Sequence, residues 1–188
     1  MEFRDLKKQY EVLKPEMDAA IRQVLMDANY ISGRQVAELE AALAKYVGVK
    51  HCITCANGTD ALTLALMVLG IGENDAVFVP DFTFFSSAET VAYEGATPVF
   101  TDILEDTFNM DPDSLERAIQ AVLKEGKLTP KAIVTVDLFG LPADYQRIRQ
   151  IAEKYGLYIL EDAAQGFGGV YHGKYAGSFG DLATTSFF

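Results

Sequence analysis

The chain lacks tryptophan, has two cysteines and two histidines, and is short of basic charge: 16 Lys and Arg stand against 27 Asp and Glu, a net charge of −11 over 188 residues. Each shortage excludes something. Phosphate neutralisation by Lys and Arg dominates binding to nucleic acid and anionic membranes, so neither partner is expected here. A local basic site for a small anionic molecule stays open. No apolar run reaches the ~18 residues of a membrane span; Leu62–Leu69 is broken by Thr63 and closed by Gly70. The opening MEFRDLKKQY mixes charges and has no apolar h-region, so no secretory signal is expected and the cytoplasm is the expected compartment.

Cys52 and Cys55 form a C-x-x-C, a spacing used by zinc and redox sites. A zinc site needs four ligands, there is no second C-x-x-C, and only His51 and His172 accompany the pair. The segment HCITC also reads as a strand, in which residues three apart point to opposite faces. The expectation is two small buried side chains and no metal site.

What is present is a globular composition. The 49% hydrophobic share supports a sizeable core, which excludes disorder and fibrous repeats, and the length suits one domain or one and a fraction. Apolar positions at helical spacing run from Leu6 to Met26, with Pro15 expected to start the main helix. NYISG breaks the pattern, and Val36–Tyr46 is a second amphipathic helix ended by Gly48. Strands are then expected at His51–Cys55, Ala76–Val79, Thr97–Thr101, Ala132–Val136 and Leu157–Leu160. Helices are expected at Thr59–Leu69, Ser86–Tyr93, Pro112–Lys124 and Tyr145–Tyr155. This alternation predicts an α/β fold, with a mostly parallel sheet covered by helices on both faces. GVYHGKYAG reads as a hairpin turning near His172-Gly173. DLATTSFF reads as a strand that stops on two phenylalanines without a polar cap, so the sequence is expected to be the front part of a longer polypeptide.

In open parallel sheets, ligands bind beyond the carboxyl ends of the strands. After the HCITC segment come Asn57-Gly58-Thr59-Asp60 and a long helix. Free N–H groups and the positive dipole end there suit a phosphate, while Thr and Asp are equally ordinary helix caps. The next strand delivers Phe82, Thr83, Phe84 and Phe85, aromatics that suit either a core or a platform for a flat ring. A later one delivers Glu161-Asp162-Ala163-Ala164-Gln165. A carboxylate pair directly after an apolar strand is costly to bury unless something pairs with it; the alternative is a solvated loop acid. A phosphate cradle, an aromatic plate and a carboxylate at neighbouring strand ends together describe a site for pyridoxal 5'-phosphate, whose ring nitrogen needs an acid beside it.

The segments FRDLKKQY, YISGRQVAELE, NGTDAL, PDFTFFSSA, GATPVFTDI, VDLFGLPADY, EDAAQ and GSFGDLATTSFF occur in one order, and nearly the whole chain in this order resembles the DegT/DnrJ/EryC/StrS family. These are pyridoxal-phosphate-dependent aminotransferases of nucleotide-linked keto sugars. The resemblance implies a fold-type I large domain at 36–188, preceded by a helical interface segment at 1–35. It places Gly58, Thr59, Asp60 and Ser186 at the cofactor phosphate, Phe84 against the ring, Gln165 at the ring hydroxyl and Asp162 at the pyridine nitrogen. It implies L-glutamate as amino donor, with 2-oxoglutarate as its product, and a homodimer. The Schiff-base lysine and a smaller C-terminal domain are expected beyond Phe188; Lys174 does not match that lysine and is expected at the surface. Two other activities fit the same residues: a sugar dehydratase with His in place of the lysine, and a non-catalytic cofactor- or sugar-binding regulator. One departure stands out. Many relatives carry His where this chain has Asp137, which puts either a charge at the ligand face or an acceptor behind it.

Overall fold

The computed structural model describes residues 5–187. Two helices come first, α1 (Leu6–Asp27) and α2 (Arg34–Val47), followed by α3 (Gly58–Val68). The main sheet has β1 (Asp75–Pro80), β2 (Thr97–Thr101), β3 (Thr129–Val136), β4 (Tyr158–Asp162) and a last strand, Leu182–Thr184. Between them lie α4 (Ser86–Tyr93), α5 (Pro112–Glu125) and α6 (Tyr145–Tyr155). A short hairpin of β5 (Val170–Tyr171) and β6 (Lys174–Tyr175) precedes the last strand, β7.

All neighbouring strands in the main sheet are parallel, in the order β2-β1-β3-β4-β7. Chain order runs one way from β1 to β2 and then the other way from β3 to β4. Right-handed crossovers therefore place the connecting helices on opposite faces. Leu62, Leu66 and Val91 of α3 and α4 pack with Val77, Val79, Val134 and Leu160 on one face. Leu115, Ile119, Ile148 and Ile151 of α5 and α6 pack with Phe78, Ile133 and Ile159 on the other. The direction reverses between β1 and β3, which is where such folds hold ligands.

Local chemistry explains the ends of these elements. Asn57 caps α3 by accepting from the Asp60 N–H at 2.8 Å, so the cap lies one residue before Gly58. Pro130 has no N–H to give β1, and the ladder slips there: Ala76 faces Pro130 while Val77 faces Ala132. Pro98 lies in β2, the outer strand, opposite Val77. The expected hairpin is present, with His172 at φ 48° and Gly173 at φ 79°, as a two-residue type I′ turn requires.

Three expectations are corrected. His51–Cys55 is not a strand: no neighbouring chain pairs with it among the described residues, and Ile53 is 83% exposed. Cys52 is consequently only half-buried and Cys55 exposed, and both are free thiols. Pro15 does not start a helix. Asp5 accepts from the Lys8 N–H at 2.8 Å and starts α1 at Leu6, leaving Pro15 inside the helix; in this exposed helix, water can serve the carbonyl that Pro15 cannot. Apart from these corrections, α1 buries none of its residues, and its apolar stripe stays exposed in the single chain.

The contrast between buried and exposed apolar positions is measurable. Leu115→Ala, at a site with no exposure, should cost about 2–5 kcal/mol in urea unfolding. Leu123→Ala on α5, 51% exposed and outside 1–35, should stay within about 0.5 kcal/mol of the parent chain.

Candidate active site

The carboxyl ends of the sheet gather most of the residues singled out above. Asp162 closes β4 and pairs in register with Thr184 of β7. It is 5% exposed, so the solvated-loop reading does not hold. Its Oδ2 accepts from the Ser87 hydroxyl at 2.9 Å, and its Oδ1 from the Ala164 N–H at 3.2 Å. Burial pushes the Asp162 carboxyl up, and the Ser87 and Ala164 donors hold it back in part. No ion pair among the described residues reaches it.

The start of α3 lies against the end of β7. A Cβ on Gly58 would stand 3.0 Å from the Ser186 Cβ and 3.4 Å from its Oγ, so the two residues form one corner. Gly58 and Thr59 sit in the first turn of α3, where N–H groups have no intrahelical acceptor. Thr59 Oγ1 is 2.8 Å from Ser86 Oγ, tying this corner to α4. Asp60 faces back to its own cap, its carboxylate accepting from the Asn57 amide at 3.0 Å. Thr185 donates to the Ala163 carbonyl at 3.1 Å, and Ala163 donates to Thr184 at 2.8 Å. Ser186, Gly58, Thr59 and Asp162 are thereby connected through α4 and β7.

Phe82, Phe84 and Phe85 are 48%, 69% and 70% exposed, which excludes the core reading of these rings. Phe84 lies just before α4, its carbonyl accepting from the Ser87 N–H at 3.1 Å. Gln165 is exposed, and its Oε1 accepts from the Phe139 N–H at 2.8 Å, which joins the loop after β4 to the loop after β3. Phe139 and Phe108 both adopt positive φ, at 56° and 60°, a conformation bulky residues rarely take. With Phe82 their rings form a cluster with centroids 5.7–6.5 Å apart. Lys174 lies exposed on the hairpin, as expected.

The reading of the sequence missed Thr83, Ser86 and Ser87. Ser87 Oγ also lies 3.0 Å from Thr83 Oγ1, so a hydroxyl chain leads to Asp162. Two serines at the start of the helix that follows β1 were the available signal, and they were not singled out. The ambiguity at Asp137 is resolved. It is fully buried, accepting from Tyr145 at 2.7 Å and from the Ala143 N–H at 3.1 Å, so it is an acceptor behind the site rather than a charge on its face.

The DegT/DnrJ/EryC1/StrS aminotransferase family matches this sequence over residues 11–188. The chain belongs to that family. A family member from Brucella abortus has a crystal structure that superposes with a TM-score of 0.98 at 52% identity, covering all of this chain and 50% of that one. The UDP-2-acetamido-2-deoxy-3-oxo-D-glucuronate aminotransferase of Pseudomonas aeruginosa is 49% identical over all of this chain and 50% of its own length. A protein of Geobacillus stearothermophilus named a pleiotropic regulatory protein is 44% identical over 98% of this chain and 48% of its own. The chain therefore spans about half the length of the relatives it matches. Its fold is the fold-type I architecture of those structures.

Two predictions follow from the geometry. Ser87→Ala removes a donor to the anionic form of Asp162, so carbon-13 NMR should show that carboxyl titrating still higher. A Cβ on Gly166 would fall 2.6 Å from the Asp137 Cβ. Gly166→Ala should therefore cost about 1–3 kcal/mol in urea unfolding.

Proposed function

We propose that this chain supplies the cofactor-binding part of a cytoplasmic, homodimeric, pyridoxal-phosphate-dependent aminotransferase. It moves an amino group from L-glutamate, released as 2-oxoglutarate, to a keto group of a nucleotide-linked deoxysugar. In this reading residues 36–188 are the large domain and 1–35 an interface segment. The observation that carries it is Asp162: a buried carboxyl raised by desolvation, held by Ser87, beside a helix start that meets Ser186.

The residues present fit the cofactor. A carboxylate buried without an ion pair among the described residues suits a partner that brings a cation, because the opposite charge offsets desolvation. A ring nitrogen that stays protonated is such a partner. Gly58, Thr59 and Ser186 fit a phosphate: the corner closes to van der Waals distance only because residue 58 lacks a side chain, and the helix start supplies donors and positive potential. Asp60 shapes that start through Asn57. Phe84 is exposed at the strand end, where a ring face can be covered. Gln165 is held on the Phe139 backbone beside the same opening. Bound there, pyridoxal phosphate supplies an electron sink and a carbonyl that takes up and releases amines. Asp162 keeps the ring nitrogen protonated, the α3 start anchors the phosphate, and Phe84 and Gln165 set the orientation. The Schiff-base lysine is proposed to follow Phe188.

The names of the relatives support amino transfer. The G. stearothermophilus relative favours a second reading, a regulator that binds without turnover. Glutamate separates the two. The full-length protein loaded with pyridoxal phosphate should absorb as a yellow enzyme and lose that absorbance when L-glutamate is added. Unchanged absorbance would favour the regulator; the residue at the Schiff-base position separates a dehydratase of the same superfamily. Asp162→Ala removes a charge-assisted hydrogen bond of about 1.5–3 kcal/mol, so equilibrium titration should show cofactor affinity falling roughly 10–100-fold.

A further inference from the structure

Behind Asp162 lies a second acidic cluster that the proposed chemistry does not use. Glu161 and Asp137 are both without solvent exposure, at the ends of adjacent paired strands. The groups that face them come from every neighbouring element: Thr135 from β3, Tyr145 from α6, Ala143 from the loop before it, and the backbone of 177–180 from the loop before β7. None of these carries a positive charge, and no ion pair among the described residues includes either acid. Two bare carboxylates buried side by side without a cation are strongly disfavoured.

The donors are shared unequally. Glu161 accepts three backbone N–H groups, from Gly177, from Phe179 at 2.7 Å and from Gly180 at 3.1 Å. Asp137 accepts two donors, both on Oδ1. Its Oδ2 is buried with no donor to accept from. A proton on that atom turns it from an orphaned acceptor into a donor, and Glu161 is the acid placed to take it: Glu161 pairs in register with Thr135, two residues before Asp137, so both acid side chains stand on one face of the sheet at adjacent strand ends. Tyr145 does not supply this proton. Burial and the two acids keep its phenol well above the ordinary range, so it donates to Asp137 and stays neutral.

We propose that Asp137 is a positioning residue that carries a proton on Oδ2 and shares it with the Glu161 carboxylate, so that this pair brings one negative charge rather than two to the shelf that supports Asp162 and Gln165. The shelf depends on Asp137 directly: its N–H donates to the Asp162 carbonyl at 3.1 Å, and its side chain lies against Gly166, next to Gln165. The inference goes beyond the proposed reaction and holds whatever the site binds.

Its signature is a dependence of folding on pH. Burial pushes Asp137 from the ordinary 3.8 up to about 7. A carboxyl with a raised folded-state value stabilises fully below its unfolded value, and that stability is lost as pH rises through the folded one. One retained proton changes the folding equilibrium by about tenfold per pH unit inside that window. Asp137→Asn keeps the acceptor for Tyr145 and a permanent donor toward Glu161.

The test is urea unfolding of the cofactor-free protein between pH 5 and pH 8. Relative to D137N, the parent should lose about tenfold in folding equilibrium per pH unit up to about pH 7 and level off above it. Parallel pH profiles for the two proteins overturn the proposal. If D137N does not fold, the Asp162→Asn protein labelled with carbon-13 at aspartate carboxyls decides the matter. One aspartate should still titrate near neutrality; ordinary acidic titration of all of them overturns it.

Discussion

Burial of carboxylates at the end of a parallel sheet is the constraint on which the rest of this structure depends. Glu161, Asp162 and Asp137 are all withdrawn from water within two adjacent strand ends. Each such charge costs several kcal/mol unless donors or an opposite charge offset it. The surrounding architecture is arranged around those donors. The loop before β7 turns three backbone N–H groups onto Glu161, α4 sets Ser87 on Asp162, and α6 delivers the Tyr145 hydroxyl to Asp137. The helices that build the two hydrophobic faces thus also carry the groups that make the strand ends tolerable.

The same arrangement separates the three acids by function. Glu161 is wrapped by backbone and belongs to the fold. Asp137 faces inward, between the sheet and α6. Asp162 has a side-chain hydroxyl and a single N–H, and is linked through Ser87 and Ser86 of α4 to Thr59 at the corner made by Gly58 and Ser186. Adjacent strand residues point to opposite faces, which is how Glu161 and Asp162 come to serve different environments. An acid that keeps part of its hydrogen-bonding capacity at a strand end suits a cationic ligand better than one already saturated.

Much of this was legible in the sequence because the signals were local and strong. The apolar runs VFV, IVTV and YIL are the continuous pattern of strands buried on both faces, and the structure has β1, β3 and β4 there. HG at 172–173 carries its turn type in its composition. The carboxylate after β4 and the helix start after Asn57 were visible as chemistry, although burial of Asp162 was not. What failed depended on partners. HCITC has strand propensity, but a strand needs a neighbour to pair with. Pro15 carries the mark of a helix start, yet Asp5 supplied a cap ten residues earlier. Ser87 and Tyr145 are 75 and 8 positions from the acids they serve. Hydrogen bonds across such separations leave no periodic trace.

Pro98 has a consequence for how this protein avoids self-association through its sheet. It sits in β2, the outermost strand on that side, where a row of unpaired backbone groups would otherwise invite a foreign strand to add on. A ring in place of one N–H interrupts the row within a strand of only five residues. Any incoming chain would find too few consecutive partners to nucleate, which disfavours edge-to-edge aggregation at this margin without altering the hydrophobic interior.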